Sequence, residues 1–158
     1  MDNEKPVLLQ GKVSVDNRGC ISFVNDFDMS DVKRFYIVKN HQPNFIRAWH
    51  AHRRERKYVM AIRGAAIVVA IPLSELEVVN NHFPEDMMDG MYNFTQATLS
   101  GGSPAIFCIP PGYGNGFKTL TPDTELIFFS SATLEESKND DIRFSAQLCR
   151  DAFDVEER

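Results

Sequence analysis

Between Arg47 and Gly64 the chain reads RAWHAHRRERKYVMAIRG, which sets two histidines, an acid and a lysine in a short polar stretch ahead of an apolar one. In an alternating strand, side chains two apart share a face. His50 and His52 are therefore predicted to point one way, and Trp49 and Ala51 the other. Two imidazoles on one face, with Arg47, Glu55 and Lys57 close by, suit metal binding, proton movement or the gripping of an anionic substrate. The basic residues from Arg47 to Arg56 stand out in a chain of formal net charge −5 and could receive a small phosphorylated ligand.

The elements that must position these residues read as strands separated by turns. Asp16-Asn17-Arg18-Gly19 is a turn between KVSV and CISFV, and Val32–Val38 is rich in aromatic and branched residues. KYVMAI, Arg63-Gly64 and AAIVVAI read as a hairpin with glycine at its turn. PAIFCI and ELIFFSS are further apolar runs of strand length bounded by Gly, Pro or Asp. Helical signals are short, near Ser74–Val78 and Ala146–Phe153. The pattern predicts an all-β antiparallel sandwich or barrel with few short helices. A length of 158 residues fits a single domain over 1–158, with a C-terminal tail from about 151 to 158 expected to be loose.

Composition narrows the class of function. The acidic balance points away from nucleic acid and membrane surfaces, and no apolar run is long enough to span a bilayer. Cys20, Cys108 and Cys149 are odd in number and far apart, which fits reduced thiols in a cytoplasm. The first residues, MDNEKPVLLQGKV, lack the order of a secretory signal, so a cytoplasmic location is expected. Cys108 and Trp49 read as core residues.

The H-x-H element with its following acid and glycine resembles the first motif of the cupin superfamily, and Pro110–Phe117 resembles the second. Asn115 stands where the third metal-binding imidazole of that pattern belongs. An amide is a poor ligand for the metals that imidazoles favour, so no metal and no cofactor are expected. Asp16–Gly19, the R-x-x-H-x-H element, I-P-P-G-Y-x-x-G-F and D-D-I-R-F together resemble the nucleotide-sugar-modifying cupins. Two relatives compete: the dTDP-4-dehydrorhamnose 3,5-epimerases and the dTDP-4-keto-6-deoxyglucose 3,4-ketoisomerases. Lys33–Tyr36 and Arg47–His52 are similar to the latter.

The resemblance implies a cupin-type antiparallel barrel or jelly roll and an isomerase of a nucleotide-linked, dTDP-type 4-keto-6-deoxy sugar. A C–H beside a ketone is acidic enough for a positioned base when the enolate oxygen is stabilised. His50 is the expected base and Lys57 the expected stabiliser, with His52 aiding proton return. Arg18 and Arg47 are expected to meet the diphosphate, with Tyr36, Tyr113 and Asn115 near the substrate. The epimerase is the preferred reading and the ketoisomerase its alternative. A non-catalytic or metal-dependent cupin is a third. The tyrosine expected after ELIFFSS is missing, with Tyr113 or Tyr58 as substitutes, and the acid that orients the base is Asp140 or Asp141 or is unassigned. The relatives imply a homodimer in which the segment around Arg18 lies near the neighbour's site.

Overall fold

Runs of branched and aromatic residues bounded by turns make strand the main regular structure of this chain. The computed structural model describes residues 4–82 and 92–156. In chain order the strands are β1 (Val7–Gln10), β2 (Lys12–Asp16), β3 (Gly19–Phe23), β4 (Arg34–Lys39), β5 (Ile46–His52) and β6 (Lys57–Arg63). There follow β7 (Ala65–Pro72), β8 (Thr95–Ser100), β9 (Ala105–Ile109), β10 (Tyr113–Thr119), β11 (Glu125–Ser130) and β12 (Ile142–Arg143). Helix α1 (Leu73–His82) follows β7, α2 (Leu134–Lys138) follows β11, and a 3-10 turn spans Arg150–Phe153.

Two five-stranded antiparallel sheets form, in the order β1-β9-β6-β11-β4 and β12-β5-β10-β7-β8. Strands β2 and β3 pair only with each other, as the Asp16–Gly19 turn predicts. The faces of the two sheets meet in a core that includes Val59, Val68, Leu99, Phe107, Phe117, Leu126 and Phe128. This is the all-β sandwich expected from the run of short strands, in the jelly-roll form that the resemblance implies.

The predicted hairpin at Gly64 is corrected. Strand β6 pairs with β9 and β11, whereas β7 pairs with β8 and β10, so Gly64 carries the chain from one sheet to the other. Its φ of 67° lies in the left-handed region that glycine adopts cheaply, and an added Cβ would strike Thr121 and Thr124. Alternation alone cannot distinguish a turn within a sheet from a corner between sheets.

A second apolar layer backs the β12-β5-β10-β7-β8 sheet. Leu76 and Val79 of α1 pack there with Leu148 and Phe153 against Trp49, Ile67, Val69 and Ile71. AAIVVAI is thus buried on both faces, which is why it shows no polar alternation. The expected loose tail is corrected in its first part, because Ala152 and Phe153 are fully buried. The helical signal at Ala146–Phe153 resolves only to the short 3-10 turn, and that at Ser74–Val78 extends to α1. Helix α2 has a capping box, Thr133 with Glu136, that went unread.

Candidate active site

Strand β5 holds the H-x-H pair, and its position between β12 and β10 decides what each imidazole meets. Asn115 of β10 stands opposite His50, and Phe117 stands opposite Arg47. Three steps on β5 thus match two on β10, a bulge that turns Arg47 to the same side as His50. Gly116 sits at this bulge, where an added Cβ would come within 2.5 Å of the Ala48 Cβ. On the other edge of β5, Arg143 of β12 pairs with His50 and Ile142 with Ala51. That short strand brings the preceding aspartates beside the histidines.

A cavity of about 100 Å³ opens between the two sheets. One wall carries Arg47, His50, Asn115 and Phe117, and the other carries Tyr36, Val38, Lys57 and Phe128. His50 Nδ1 lies 3.7 Å from Asp141 Oδ1, with the imidazole half exposed. Burial and the Arg143 guanidinium hold its pKa below the ordinary histidine value, against the pull of Asp141. The Asn115 amide donates to the His50 carbonyl at 3.0 Å.

On the facing wall, Lys57 is buried with its Nζ 3.1 Å from the Tyr36 hydroxyl and 2.9 Å from Glu55 Oε1. Tyr36 is held by a parallel stack on Phe128, with ring centroids 5.2 Å apart. The Arg34 guanidinium lies 5.3 Å above the Tyr36 ring. Burial raises the pKa of Glu55, but hydrogen bonds from Ser130, Ser137 and Lys57 outweigh it and leave the carboxyl below its usual range. An imidazole and an ammonium–phenol pair therefore face each other across a space open to a small carbonyl compound.

His52 stands behind this cavity. Its Nδ1 is 3.0 Å from the Asp140 carbonyl and 3.2 Å from Glu55 Oε2, and the residue is buried. Burial and then Lys57 push its pKa down, opposed by Glu55. The Asp140 carboxylate accepts backbone N–H groups of Arg53, Arg54 and Glu55 at 3.0, 2.8 and 3.2 Å. These bonds outweigh its burial and hold its pKa low.

Solved structures share this arrangement of strands. An RmlC epimerase from Mycobacterium tuberculosis superposes with a TM-score of 0.70 at 14% identity, covering 93% of this chain and 72% of that one. The QdtA 3,4-ketoisomerase from Thermoanaerobacterium thermosaccharolyticum, a double mutant in complex with TDP, gives 0.62 at 17%, covering 89% and 88%. A dTDP-4-dehydrorhamnose 3,5-epimerase from Sulfolobus tokodaii gives 0.66 at 22%, covering 90% and 78%. No protein-family model matches the sequence, and no curated protein matches it. The chain has the cupin jelly-roll fold.

This fold brings together Tyr36, Arg47, His50, Lys57 and Asn115 of the residues expected at the site. Three expected residues lie elsewhere. His52 shares the strand with His50 but is enclosed by Glu55 and Asp140 rather than lining the cavity. Tyr113 lines a separate surface hollow with Glu4, Arg53 and Glu77, because β10 has run past the cavity at that point. Arg18 is fully exposed at the β2–β3 turn, paired with Asp16 and outside this cavity. Tyr58 is no substitute for the missing tyrosine, since its hydroxyl donates to Asp31 on the outer side of the β1-β9-β6-β11-β4 sheet. The carboxylate that stands beside His50 is that of Asp141, one of the two candidates in the D-D-I-R-F element. Among the described residues, no group of three or more His, Cys, Asp or Glu side chains is arranged to hold a metal ion.

Proposed function

We propose that this cupin is a metal-independent epimerase of a nucleotide-linked 4-keto-6-deoxy sugar of the dTDP type. The observation that carries the reading is the placing of proton-transfer groups on opposite walls of one cavity: His50 on one, and Lys57 with Tyr36 on the other. The activities of the solved structures with this fold, sugar-nucleotide epimerases and ketoisomerases, supply the substrate class.

In this mechanism the neutral His50 removes the proton on the carbon beside the ketone, and the C–H electron pair moves onto the ketone oxygen. The Lys57 ammonium holds the enolate oxygen as its charge develops. As the oxygen's electron pair returns to re-form the ketone, Tyr36, hydrogen-bonded to Lys57, gives its hydroxyl proton to the opposite face of the same carbon and inverts it, and the resulting phenolate takes a proton from water. The half-exposed His50 then loses its proton to water. Arg47, exposed at the cavity edge, takes the diphosphate with the planar fork that suits phosphate oxygens. The 3,4-ketoisomerase is the second reading, favoured by the short spacing that puts His52 and Lys57 within one network around Glu55.

The same reading gives a homodimer. Among the described residues the β2–β3 hairpin has no sheet partner, and two strands alone are marginal in water. Its Val13, Val15 and Ile21 are exposed, as are Phe35 and Ile37 on the edge strand β4. A second copy that accepts this hairpin would cover both apolar faces and bring Arg18 to the neighbouring cavity. Light scattering that finds a fully active monomer at micromolar concentration refutes this part.

The catalytic reading is tested by incubating a panel of nucleotide-linked 4-keto sugars in deuterated water and following each carbon by NMR. Exchange with inversion at one carbon is the expected result. His50→Ala should cost about 10²–10⁴ in exchange rate while nucleotide binding persists, and near-full exchange in that variant removes His50 from the mechanism.

A further inference from the structure

Lys57 is buried, and the carboxylate in ion-pair range of it among the described residues is that of Glu55. Glu55 is itself 3% exposed and does not line the cavity. Its two oxygens are loaded unequally. Oε1 receives Ser130 Oγ at 2.6 Å, Lys57 Nζ at 2.9 Å and Arg34 Nη2 at 3.3 Å. Oε2 accepts from none of these three and stands 3.2 Å from His52 Nδ1. Both neighbours of that ring nitrogen, the Asp140 carbonyl at 3.0 Å and Glu55 Oε2, are acceptors. Nδ1 must therefore carry the proton of the neutral ring, leaving Nε2 as the acceptor.

We propose that Glu55 is the positioning residue of this site, tying the enclosed imidazole of His52 to the ammonium of Lys57 so that one carboxylate, with the Asp140 carbonyl beside it, holds the first and fixes the aim of the second. A buried carboxylate is costly unless it is paired and hydrogen-bonded. Arg34, Lys57, Ser130 and His52 provide that surrounding, and the Asp140 carboxylate anchors the Glu55 backbone. The path runs from Asp140 through Glu55 to Lys57, and so from the aspartate pair that flanks the histidines to the opposite wall of the cavity. The role of Lys57 in turnover rests on the function proposed above, but the coupling of Glu55 to His52 does not.

Glu55→Gln keeps the shape and removes the charge. Its amide oxygen can still face Ser130 and Lys57, which leaves the amide NH₂ opposite His52 Nδ1. A donor would then face a donor, and the ring keeps only the Asp140 carbonyl as acceptor for its Nδ1 proton. Nitrogen-15 NMR of the full chain labelled in histidine reads the ring directly. The parent should show neutral His52 protonated at Nδ1, and Glu55→Gln, which removes the nearby negative charge, should move the titration of His52 to lower pH. An unmoved titration overturns the coupling.

If Glu55→Gln fails to fold, Lys57→Met tests the network from its other end. His52 is faced by Lys57, Glu55, Asp140 and the neighbouring His50. Loss of the ammonium should let His52 hold its second proton to higher pH, and an unmoved titration overturns the proposal. On a substrate that exchanges, Glu55→Gln should lower the exchange rate about tenfold to a hundredfold, with KM little changed. In a Lys57→Met background it should cost nothing more, and additive losses would show that Glu55 does not act through Lys57. A chain that exchanges no sugar, yet shows the shifted His52 titration, refutes the proposed function and leaves the Glu55 coupling standing.

Discussion

Asp141→Asn removes one charge from the pair that aims the base, and its effect can be worked from the geometry. His50 Nδ1 and Asp141 Oδ1 are 3.7 Å apart, with the imidazole side chain 42% exposed. Opposite charges near 4 Å are worth about 1 kcal/mol in water and about 4 kcal/mol near a protein surface. Exposure pulls the value toward the lower figure, so about 1 kcal/mol is the working estimate. That corresponds to ~0.7 of a pH unit in the titration of His50. The sign follows from the charges: Asp141 raises the pKa of His50, and Arg143 lowers it. A base works when neutral, and activity fades as pH falls through its pKa. Asp141→Asn should therefore move the acid limb of the pH–rate profile to lower pH, while a weaker, less firmly aimed base lowers the plateau about three- to tenfold. Arg143→Gln should move the limb to higher pH. The assay is deuterium exchange into substrate measured across the acid range, with initial rates by NMR. An unmoved limb, or two variants moving it in the same direction, refutes the assignment of Asp141 and His50 as a working pair.

Asp140→Asn should destabilise the fold by about 2–3 kcal/mol through weakened charge-assisted bonds to three backbone N–H groups. Because the Asp140 pKa is held low in the fold, its contribution is present above the ordinary carboxylate range and lost as pH falls through the folded value. Thermal melts of parent and variant should accordingly converge in acid. Phe153→Ala should cost about 3–5 kcal/mol, since the ring is fully buried 5.1 Å from the Trp49 ring; denaturant titration reads this, and a loss under 1 kcal/mol would return residue 153 to a loose tail. Exhaustive chelation should leave exchange unchanged, and activity restored by a single divalent ion would replace the epimerase reading with a metallocupin.

Much of the scaffold was legible because strand chemistry is local. PAIFCI became β9, ELIFFSS became β11, and Trp49 and Cys108 were recognised as core. Burial pushes the Cys108 thiol pKa up to about 11, as an inert core cysteine requires. What stayed hidden is set by partners distant in sequence. Nothing in KYVMAIRGAAIVVAI says that its two halves join different sheets, since the pairing of β6 with β11 and of β7 with β10 is decided many residues later. The roles of Asp140 and Asp141 depend on β12, two residues long, lying against β5. No periodicity announces so short a strand. Tyr36 and Lys57 were each read alone, and their contact exists only because β4 and β6 flank β11 in one sheet.

The H-x-H element shows why a shared face does not mean a shared role. Strand alternation puts both imidazoles on one side of β5, yet a step of two residues also moves the second along the strand by about 7 Å. Over that distance the surroundings change completely. His50 meets open cavity and a carboxylate that arrives from the side, whereas His52 meets a carbonyl and the buried oxygen of Glu55. With the first ring aimed at the cavity and the second turned toward acceptors, a metal bridging both would have to displace the His52 Nδ1 contacts or approach through Nε2 alone. The Asn115 amide, already donating to the His50 carbonyl, supplies no third imidazole. The same pair of histidines that would seat a metal in a fuller ligand set here has its members in different company, one exposed enough to exchange a proton with water and one enclosed enough to hold its neighbours in place.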